Sequence, residues 1–302
     1  MKKNVKRQTP ELTLSLPPDW DEYELLDCGN GAKLERFGPF LLIRPEAEAI
    51  WKPSLPEINW QKANATFIPG KGEEVGTWKL KSKLPERWQM NFQSLRFWVQ
   101  LSSSRHIGVF PEQASQWEWI IQKVRQSTQP LKILNLFGYS GIATLAAASA
   151  GAQVTHVDAS QKAIYWAREN QTLSGLQSSP TRWIVDDVLK FVRRESRRGN
   201  LYDGIILDPP KFGRGPKGEV WEFYKLLPLL LESCSQVLSK NPQFIILTAY
   251  AVKASALTLY EVVEEMMNKF NGNTRAGVLA LKEKSGGRLL SRAIYSVWSK
   301  NP

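Results

Sequence analysis

The chain has 302 residues, 42% hydrophobic and 23% charged, which is an ordinary balance for a soluble globular protein with a full α/β domain and a smaller companion. Its formal net charge of +11 indicates either a polyanionic partner or a solvated basic surface, and two cysteines exclude a disulfide framework. No apolar run has the length of a membrane-spanning helix, and no apolar segment follows the basic N-terminus as in a signal peptide. We therefore expect a cytoplasmic protein.

Residues 1–104 are expected to form a small, mainly antiparallel β domain behind a mobile basic tail at residues 1–10. Glycine-rich turns at residues 29–31 and 69–72 separate short runs of strand character. Strands are predicted at residues 23–26, 33–36, 40–44, 77–81 and 95–101. The domain therefore has the composition of a compact β unit.

Tryptophan is frequent in this domain. The six indoles belong to Trp20, Trp51, Trp60, Trp78, Trp88 and Trp98. Each is expected to pack in the core of a small domain, but one or more could instead stack on nucleic-acid bases beside the basic residues 79–96. The sequence leaves both interpretations open.

Residues 105–302 alternate between apolar runs of strand length and helical runs. Strands are predicted at residues 131–137, 153–157, 181–187, 202–207, 243–250, 276–284 and 289–299. Helices are predicted at residues 114–126, 142–150, 188–198, 220–238 and 255–270, with a kink at Pro228 in the fourth. Alternating strands and helices that end in an antiparallel hairpin indicate a doubly wound, Rossmann-like α/β sheet of seven strands.

The strongest local signal is a βαβ unit at residues 131–158. A small-residue turn at residues 138–141 follows the first strand, and Asp158 stands at the end of the second. Turn glycines allow a ligand to approach the backbone, and an acid at this position accepts hydrogen bonds from ribose hydroxyls. The unit therefore predicts an adenosine-containing cofactor.

The turn disfavours a nicotinamide dinucleotide. Phe137 and Tyr139 stand where the G-x-G-x-x-G dinucleotide pattern requires glycine. An NAD-dependent oxidoreductase consequently stays only as a disfavoured alternative.

Six short motifs follow one another in order through the second half of the chain. They are GVFPEQ at residues 108–113, NLFGYSG at 135–141, VDAS at 157–160, WAREN at 166–170, DDV at 186–188 and DPPKFGRG at 208–215. On these motifs the chain resembles the class I S-adenosylmethionine-dependent methyltransferases, most closely the bacterial 23S rRNA large-subunit methyltransferase group. Residues 1–104 resemble that group's β-rich companion domain only loosely, and we expect the PUA module of some members to be absent.

The resemblance implies S-adenosyl-L-methionine as cofactor and a set of residues around it. The implied cofactor-binding residues are Phe110, Asn135, Phe137, Gly138, Tyr139, Gly141, Asp158, Ala159, Asp186, Asp187, Val188 and Asp208. Asp158 would hold the ribose hydroxyls, and Asp186 would accept from the adenine amine. One member of the Asp186–Asp187 pair is also a good helix N-cap.

The resemblance also implies an acceptor site after the fourth strand. Its implied catalytic residues are Asp208, Pro209, Pro210, Lys211 and Phe212. The prolines stiffen the backbone, so that Asp208 can be aimed at a base edge while Phe212 stacks on a flipped base and Lys211 meets a phosphate. In the alternative interpretation, the two prolines only end the strand and Phe212 is a packing residue. Arg214, Lys217, Trp221 and Tyr224 would line either a substrate entrance or a solvated loop.

The cysteines bear on which atom is methylated. Carbon-5 methylation of cytosine needs a cysteine nucleophile, and related enzymes with this chemistry carry it after the fifth strand. Residues 248–251 read TAYA there, and Cys234 lies in an apolar helix. Cytosine C5 is therefore disfavoured, and a nitrogen is at least as plausible.

These observations predict a methyltransferase acting on a base in RNA, with ribosomal RNA favoured. The alternatives are a small-molecule or protein methyltransferase, and a noncatalytic RNA-binding protein with the same fold. His106 and His156 are too few and too far apart in sequence for a metal site, so no metal is expected. The oligomeric state stays open, with a homodimer among the options.

Overall fold

The computed structural model of the chain describes residues 9–70 and 72–301. The tail predicted at residues 1–10 lies outside the described residues except for its last two. Within the described ranges, every helix is too short or too polar to cross a lipid bilayer.

The N-terminal part is rich in strands, as predicted. Its elements are β1 (Leu12–Ser15), β2 (Tyr23–Gly29), β3 (Ala32–Phe37), β4 (Phe40–Pro45), α1 (Glu57–Trp60), β5 (Ala65–Gly70), β6 (Gly72–Leu80), β7 (Arg87–Phe92) and β8 (Leu95–Gln100). Strands β2 to β6 form a sheet in chain order, and β7 pairs with β8 as a separate hairpin. The pairing is antiparallel except between β4 and β5, which helix α1 connects.

The tryptophans of this region pack inside it. All six are buried or half-buried. The Trp60 indole donates to Asp27 Oδ2 (3.0 Å), the Trp20 indole donates to the Asn91 carbonyl (2.5 Å), and the Trp98 ring lies under the Arg87 guanidinium. The core interpretation is therefore correct for the first five of these tryptophans along the chain, which pack in or against hydrophobic clusters, while Trp98 is half-buried beside Arg87.

The second part alternates strands and helices. Its elements are α2 (Ala114–Arg125), β9 (Lys132–Leu136), α3 (Ile142–Ser149), β10 (Gln153–Asp158), α4 (Gln161–Leu173), β11 (Thr181–Val185), α5 (Val188–Arg197), β12 (Gly204–Leu207), β13 (Phe212–Arg214), β14 (Val220–Glu222), α6 (Phe223–Gln236), β15 (Phe244–Ala249), α7 (Ala256–Met267), β16 (Gly272–Lys282) and β17 (Leu289–Lys300). A short 3₁₀ turn at Pro111–Gln113 leads into α2.

The large sheet has the strand order β1-β16-β17-β15-β12-β9-β10-β11. Strands β11, β10, β9, β12 and β15 are parallel, while β17 runs antiparallel to both of its neighbours. The doubly wound sheet with a terminal antiparallel hairpin is therefore confirmed. It also has an eighth strand, because Leu12 to Ser15 pair in parallel with β16. Gly277 makes this approach possible, since a Cβ there would lie 1.8 Å from the Thr13 carbonyl oxygen.

The predicted start of the fourth helix is wrong. The helix predicted at residues 220–238 begins at Phe223, because the preceding residues form β14, which pairs with β13 in an antiparallel ribbon. Pro228 lies inside α6. The sequence missed this ribbon because its strands are only three residues long and one carries a glycine.

A cluster of buried charges joins the small sheet to the large one. Glu35 accepts two hydrogen bonds of 2.7 Å from Arg44, and Arg44 also donates to the Arg105 carbonyl. Glu46 forms ion pairs with Lys33 of β3 and with Arg292 of β17. Burial alone would raise the pKa of Glu35, but the charges of Arg44 and Lys33 hold that pKa at about 2.

We expect Arg44→Met to lower the free energy of unfolding by about 3–5 kcal/mol at pH 7, because it leaves the Glu35 carboxylate buried without its partner. Arg36→Met removes a half-exposed pair with Glu24 and should cost about 0–1 kcal/mol. The Arg44 effect should shrink as the pH falls from 4.5 toward 2, because the stability that the lowered pKa of Glu35 gives the wild-type protein is lost over this range. Urea unfolding at pH 7 and pH 3.5 measures the free energy of unfolding of both variants. Equal losses of stability in the two variants would contradict a special contribution of the buried Glu35–Arg44 pair.

Candidate functional site

The turn between β9 and α3 has an unusual backbone. Phe137 and Tyr139 both have positive φ values, of 59° and 48°, and Gly141 has a φ of 85°. Gly138 between them passes close to the next strand, since a Cβ there would lie 2.3 Å from the His156 ring. Tyr139 is therefore held with its backbone N–H directed at the end of β10.

Asp158 receives that N–H. Its Oδ2 accepts from the Tyr139 amide (2.9 Å), and its Oδ1 accepts from the Ser160 amide (2.8 Å). Burial raises the pKa of Asp158 above its ordinary value, while the backbone donors lower it. Because an ionised carboxylate has about four acceptor positions, each oxygen can accept once more. A diol that offers two hydroxyl donors fits this carboxylate.

The next strand end carries the Asp186–Asp187 pair. Asp187 is the N-cap of α5, where its side chain accepts from the Lys190 amide (2.9 Å). Asp186 keeps a partly exposed carboxylate that pairs with Arg194, and its backbone N–H donates to the Asp158 carbonyl (3.1 Å). The cap interpretation is thus correct for Asp187, while Asp186 lies beside Asp158. Ala159 directly follows β10, and Val188 is the first residue of α5.

Asn135 belongs to the packing beneath the turn. It is buried in β9, and its amide donates to Thr144 Oγ1 (2.8 Å), which in turn contacts His156 Nδ1 (2.8 Å). Burial lowers the pKa of His156 to about 3, so the ring is neutral at physiological pH. This internal network supports the turn from below.

Phe110 forms an aromatic wall opposite the turn. Its ring centroid lies 5.9 Å from that of Tyr139, 5.2 Å from Tyr250 and 5.0 Å from His106. The segment is held in place by Ser140, whose hydroxyl donates to the Gly108 carbonyl (2.6 Å). The GVFPEQ motif therefore closes one side of the space above the turn.

Asp208 follows β12 and faces this wall. Gln113 Nε2 donates to Asp208 Oδ2 (2.7 Å) and to the Tyr250 hydroxyl oxygen (3.0 Å). Burial raises the pKa of Asp208 to about 7, and the charge of Glu112 acts in the same direction. A carboxyl with this pKa can exchange a proton near neutral pH.

The segment after Asp208 is fixed from behind. The Pro210 carbonyl accepts from the Trp221 indole (2.7 Å), and the Trp221 ring packs against Phe137 with centroids 4.8 Å apart. Trp221 is buried, so the prediction that it lines an entrance is wrong for this residue. Phe212, by contrast, is 56% exposed, and Lys211 is exposed beside it. Arg214, Lys217 and Tyr224 are exposed as well.

The contacts of two side chains with Asp208 and with each other are not predicted by the sequence. The resemblance implies only that residues 108–113, which end in Gln113, close one side of the cofactor, and it gives Tyr250 no role. Residue 250 follows a strand at the carboxyl edge of a parallel sheet, where ligands bind in such folds, and that position was the available signal.

Both cysteines lie elsewhere. Cys28 is buried on β2 with its thiol 3.0 Å from Glu283 Oε2, and Cys234 is buried within α6. Burial raises the pKa of both thiols, so neither is a ready nucleophile. Among the residues that the structure describes, no three His, Cys, Asp or Glu side chains come together in a way that could hold a metal ion.

Comparison with known proteins identifies the family. Residues 71–281 match the family model for S-adenosylmethionine-dependent methyltransferases. The chain belongs to this family. A SAM-dependent methyltransferase from Agrobacterium tumefaciens, known from a crystal structure, is 43% identical in sequence to this methyltransferase. The match covers 98% of this chain and 97% of the Agrobacterium chain, with a TM-score of 0.92.

Curated relatives match over shorter stretches. Ribosomal RNA large subunit methyltransferase I of Aeromonas salmonicida is 37% identical over 40% of this chain and 34% of its own length. The protein of the same name from Cronobacter sakazakii is 26% identical over 64% of this chain and 52% of its own. The methyltransferase thus spans about a third to a half of these relatives.

We expect Asp208→Asn to stabilise the protein at pH 8 by about 2–4 kcal/mol, because partial burial and the charge of Glu112 both disfavour the ionised carboxylate. The folded-state pKa lies above the unfolded value, so the wild-type protein loses this stability as the pH rises from about 4 to 7. The gain of the variant should therefore be almost absent at pH 4. Chemical denaturation at both pH values tests this, and a pH-independent difference would contradict the raised pKa.

Proposed function

We propose that this protein transfers a methyl group from S-adenosylmethionine to a nitrogen of a base in RNA, with ribosomal RNA as the substrate. The observation that carries the proposal is Asp208, a half-buried proton acceptor held at the carboxyl edge of the sheet beside the aromatic wall and the turn. The names of the curated relatives and the net charge of +11 support RNA.

The cofactor would lie above the turn. Asp158 would accept from both ribose hydroxyls, Asp186 would accept from the adenine amine, and Phe110 would cover the opposite side. When bound, the cofactor supplies an electrophilic methyl group and requires no metal. The protein's contribution is then to align the acceptor atom and exclude water from it.

The acceptor base would enter beside Asp208. The Asp208 carboxylate would accept a hydrogen bond from the nitrogen to be methylated and take the proton that this nitrogen loses. The Gln113 amide orients the carboxylate by donating to Oδ2. Activity on this mechanism rises as the pH passes through about 7, since only ionised Asp208 can accept.

The positions of the cysteines support nitrogen over carbon. Methylation at cytosine C5 needs a thiolate to add to the ring. Cys28 lies on β2 and Cys234 lies within α6, both fully buried and both outside the Asp208 site. Nitrogen methylation needs no such nucleophile.

The ribbon formed by β13 and β14 would guide RNA to the site. Phe212 and Val220 are exposed on this ribbon, which also carries the cation Arg214. An exposed aromatic ring beside cations is suited to stacking on an unpaired base near the phosphate backbone. The ribbon follows the Pro-Pro segment directly, so a base stacked on Phe212 would lie near Asp208.

The function can be tested with an unmethylated 23S rRNA transcript. The protein is incubated with the transcript and S-adenosylmethionine, and the digested nucleosides are analysed by mass spectrometry. We expect one base with a methyl group on nitrogen, and RNA binding that weakens steeply with salt because phosphate contacts release counterions. Methyl transfer to carbon would contradict the mechanism, and absence of any RNA product would contradict the substrate.

We expect Asp158→Ala to abolish measurable binding of S-adenosylmethionine in calorimetric titration, with the circular dichroism spectrum preserved. Asp203→Ala is a matched control, since Asp203 also accepts a strand amide, that of Lys132 (2.9 Å), but precedes β12 at the opposite edge of the sheet. Cofactor affinity equal to that of the wild-type protein in Asp158→Ala would refute the site. NADH, titrated in parallel, should not bind.

We expect Phe212→Ala to raise the KM for the transcript about tenfold or more, because base–aromatic stacking contributes about 1–3 kcal/mol. Cofactor affinity should not change. Ile58→Ala, which removes an exposed apolar side chain from α1, is the control and should leave the KM unchanged. A KM that does not change in Phe212→Ala would remove this residue from the substrate site.

A further inference from the structure

Three polar groups meet at the carboxyl edge of the sheet. Gln113 Nε2 is 2.7 Å from Asp208 Oδ2 and 3.0 Å from the Tyr250 hydroxyl oxygen. They come from the 3₁₀ turn before α2 and from the ends of β12 and β15. Because one nitrogen contacts both oxygens, the carboxylate and the hydroxyl are held at a short, constant separation.

The hydrogens of this group can be counted. A glutamine amide has two N–H bonds, and here one is donated to Asp208 and the other to Tyr250. The Tyr250 oxygen is therefore an acceptor toward Gln113, and its own hydrogen points elsewhere. Within residues 9–70 and 72–301, no hydrogen bond uses that hydrogen. Tyr250 thus has a donor left over, next to a carboxylate that has acceptor positions left over.

The Tyr250 hydroxyl remains a hydrogen-bond donor at physiological pH. Burial and the negative charges of Glu112 and Asp208 raise the pKa of Tyr250 well above its ordinary value, so the hydroxyl keeps its proton. The Phe110 ring packs against the Tyr250 ring and fixes its plane. Tyr250 is half-buried, and its donor, which no group of the described residues uses, is available to a ligand that accepts from it.

We propose that Tyr250 determines which base is accepted: its hydroxyl donates to a ring nitrogen, while Asp208 accepts from the exocyclic amine beside that nitrogen. The inference rests on the proposed function and narrows its substrate to amino-substituted bases. Adenine, cytosine and guanine each carry an amine next to a ring nitrogen, and flipped bases are recognised through such edges. Uracil has no amine and is excluded.

The chemical step balances on this arrangement. The amine nitrogen forms a bond to the methyl carbon, the carbon–sulfur bond breaks, and its electron pair stays on sulfur as the neutral thioether. The nitrogen loses one proton, which Asp208 accepts and returns to water. Tyr250 keeps its proton throughout, so it is a specificity-determining residue that positions the base.

The first measurement uses the wild-type protein with the unmethylated 23S rRNA transcript, and mass spectrometry identifies the methylated nucleoside. We expect a methyl group on an exocyclic amine. Methyl transfer to uracil, or to a ring nitrogen between carbonyl groups, would overturn the inference while leaving RNA methylation intact. A transcript that receives no methyl group overturns the proposed function and the inference together.

The second measurement is a thermodynamic cycle. Tyr250→Phe should lower kcat/KM on the transcript about tenfold to a hundredfold, because it removes a donor to a buried ring nitrogen. In the second change, the target base of the substrate is replaced by its deaza analogue, which has C–H in place of that nitrogen. This replacement should lower kcat/KM of the wild-type protein by a similar factor. The two changes together should cost little more than either alone, since they delete the same hydrogen bond.

Two controls separate this role from a structural one. Affinity for S-adenosylhomocysteine should be unchanged in Tyr250→Phe, which shows that the variant is folded. Tyr202→Phe removes a tyrosine hydroxyl outside the site, which donates to Glu195 (2.7 Å) before β12, and should leave the deaza discrimination unchanged. Factors for Tyr250→Phe and the deaza base that multiply independently, or a Tyr250→Phe protein as active as the wild type, would overturn the inference. Even if Tyr250→Phe does not fold, a wild-type protein that does not discriminate against the deaza base overturns the inference.

Discussion

The hydrogen bond from the Tyr139 amide to Asp158 connects the first turn of the large sheet to the end of the next strand, and much of the site depends on it. That bond requires a left-handed backbone at Tyr139, a conformation that costs free energy for any residue other than glycine. The surrounding structure supplies the compensation, because Gly138 passes against the His156 ring and Thr144 joins His156 to Asn135. A neutral, fully buried histidine is the support on which the turn rests.

The small β sheet contributes to the same site through charge. Arg292 of β17 lies between Glu46 of the small domain and Glu112 of the 3₁₀ turn. Glu112 in turn raises the pKa of Asp208. Both sheets therefore contribute to the electrostatic environment of Asp208. The pKa of Asp208 depends in part on Glu112, whose charge is paired with Arg292.

The segment from Asp208 to Phe212, at the carboxyl edge of the large sheet, combines rigid and exposed parts. Asp208 is held by Gln113, and the Pro210 carbonyl is held by Trp221, so the backbone between them has little freedom. Phe212, only two residues further along, is exposed. This gradient fits the proposed function, in which the ribbon would make adaptable contacts with RNA and the half-buried groups would select the base.

The sequence by itself determined the family, the doubly wound sheet and the positions of most strands, because strand length, apolar runs and the turn before α3 are local properties of the chain. The roles of Asp187 as a cap and of five of the six N-terminal tryptophans as core residues were among its open alternatives, and packing decided them. Tertiary structure alone revealed that Leu12–Ser15 extends the large sheet, since this pairing needs Gly277, which lies far along the chain. It alone brought Gln113, Asp208 and Tyr250 together, because the carboxyl ends of parallel strands meet in space while their residues stay distant in sequence.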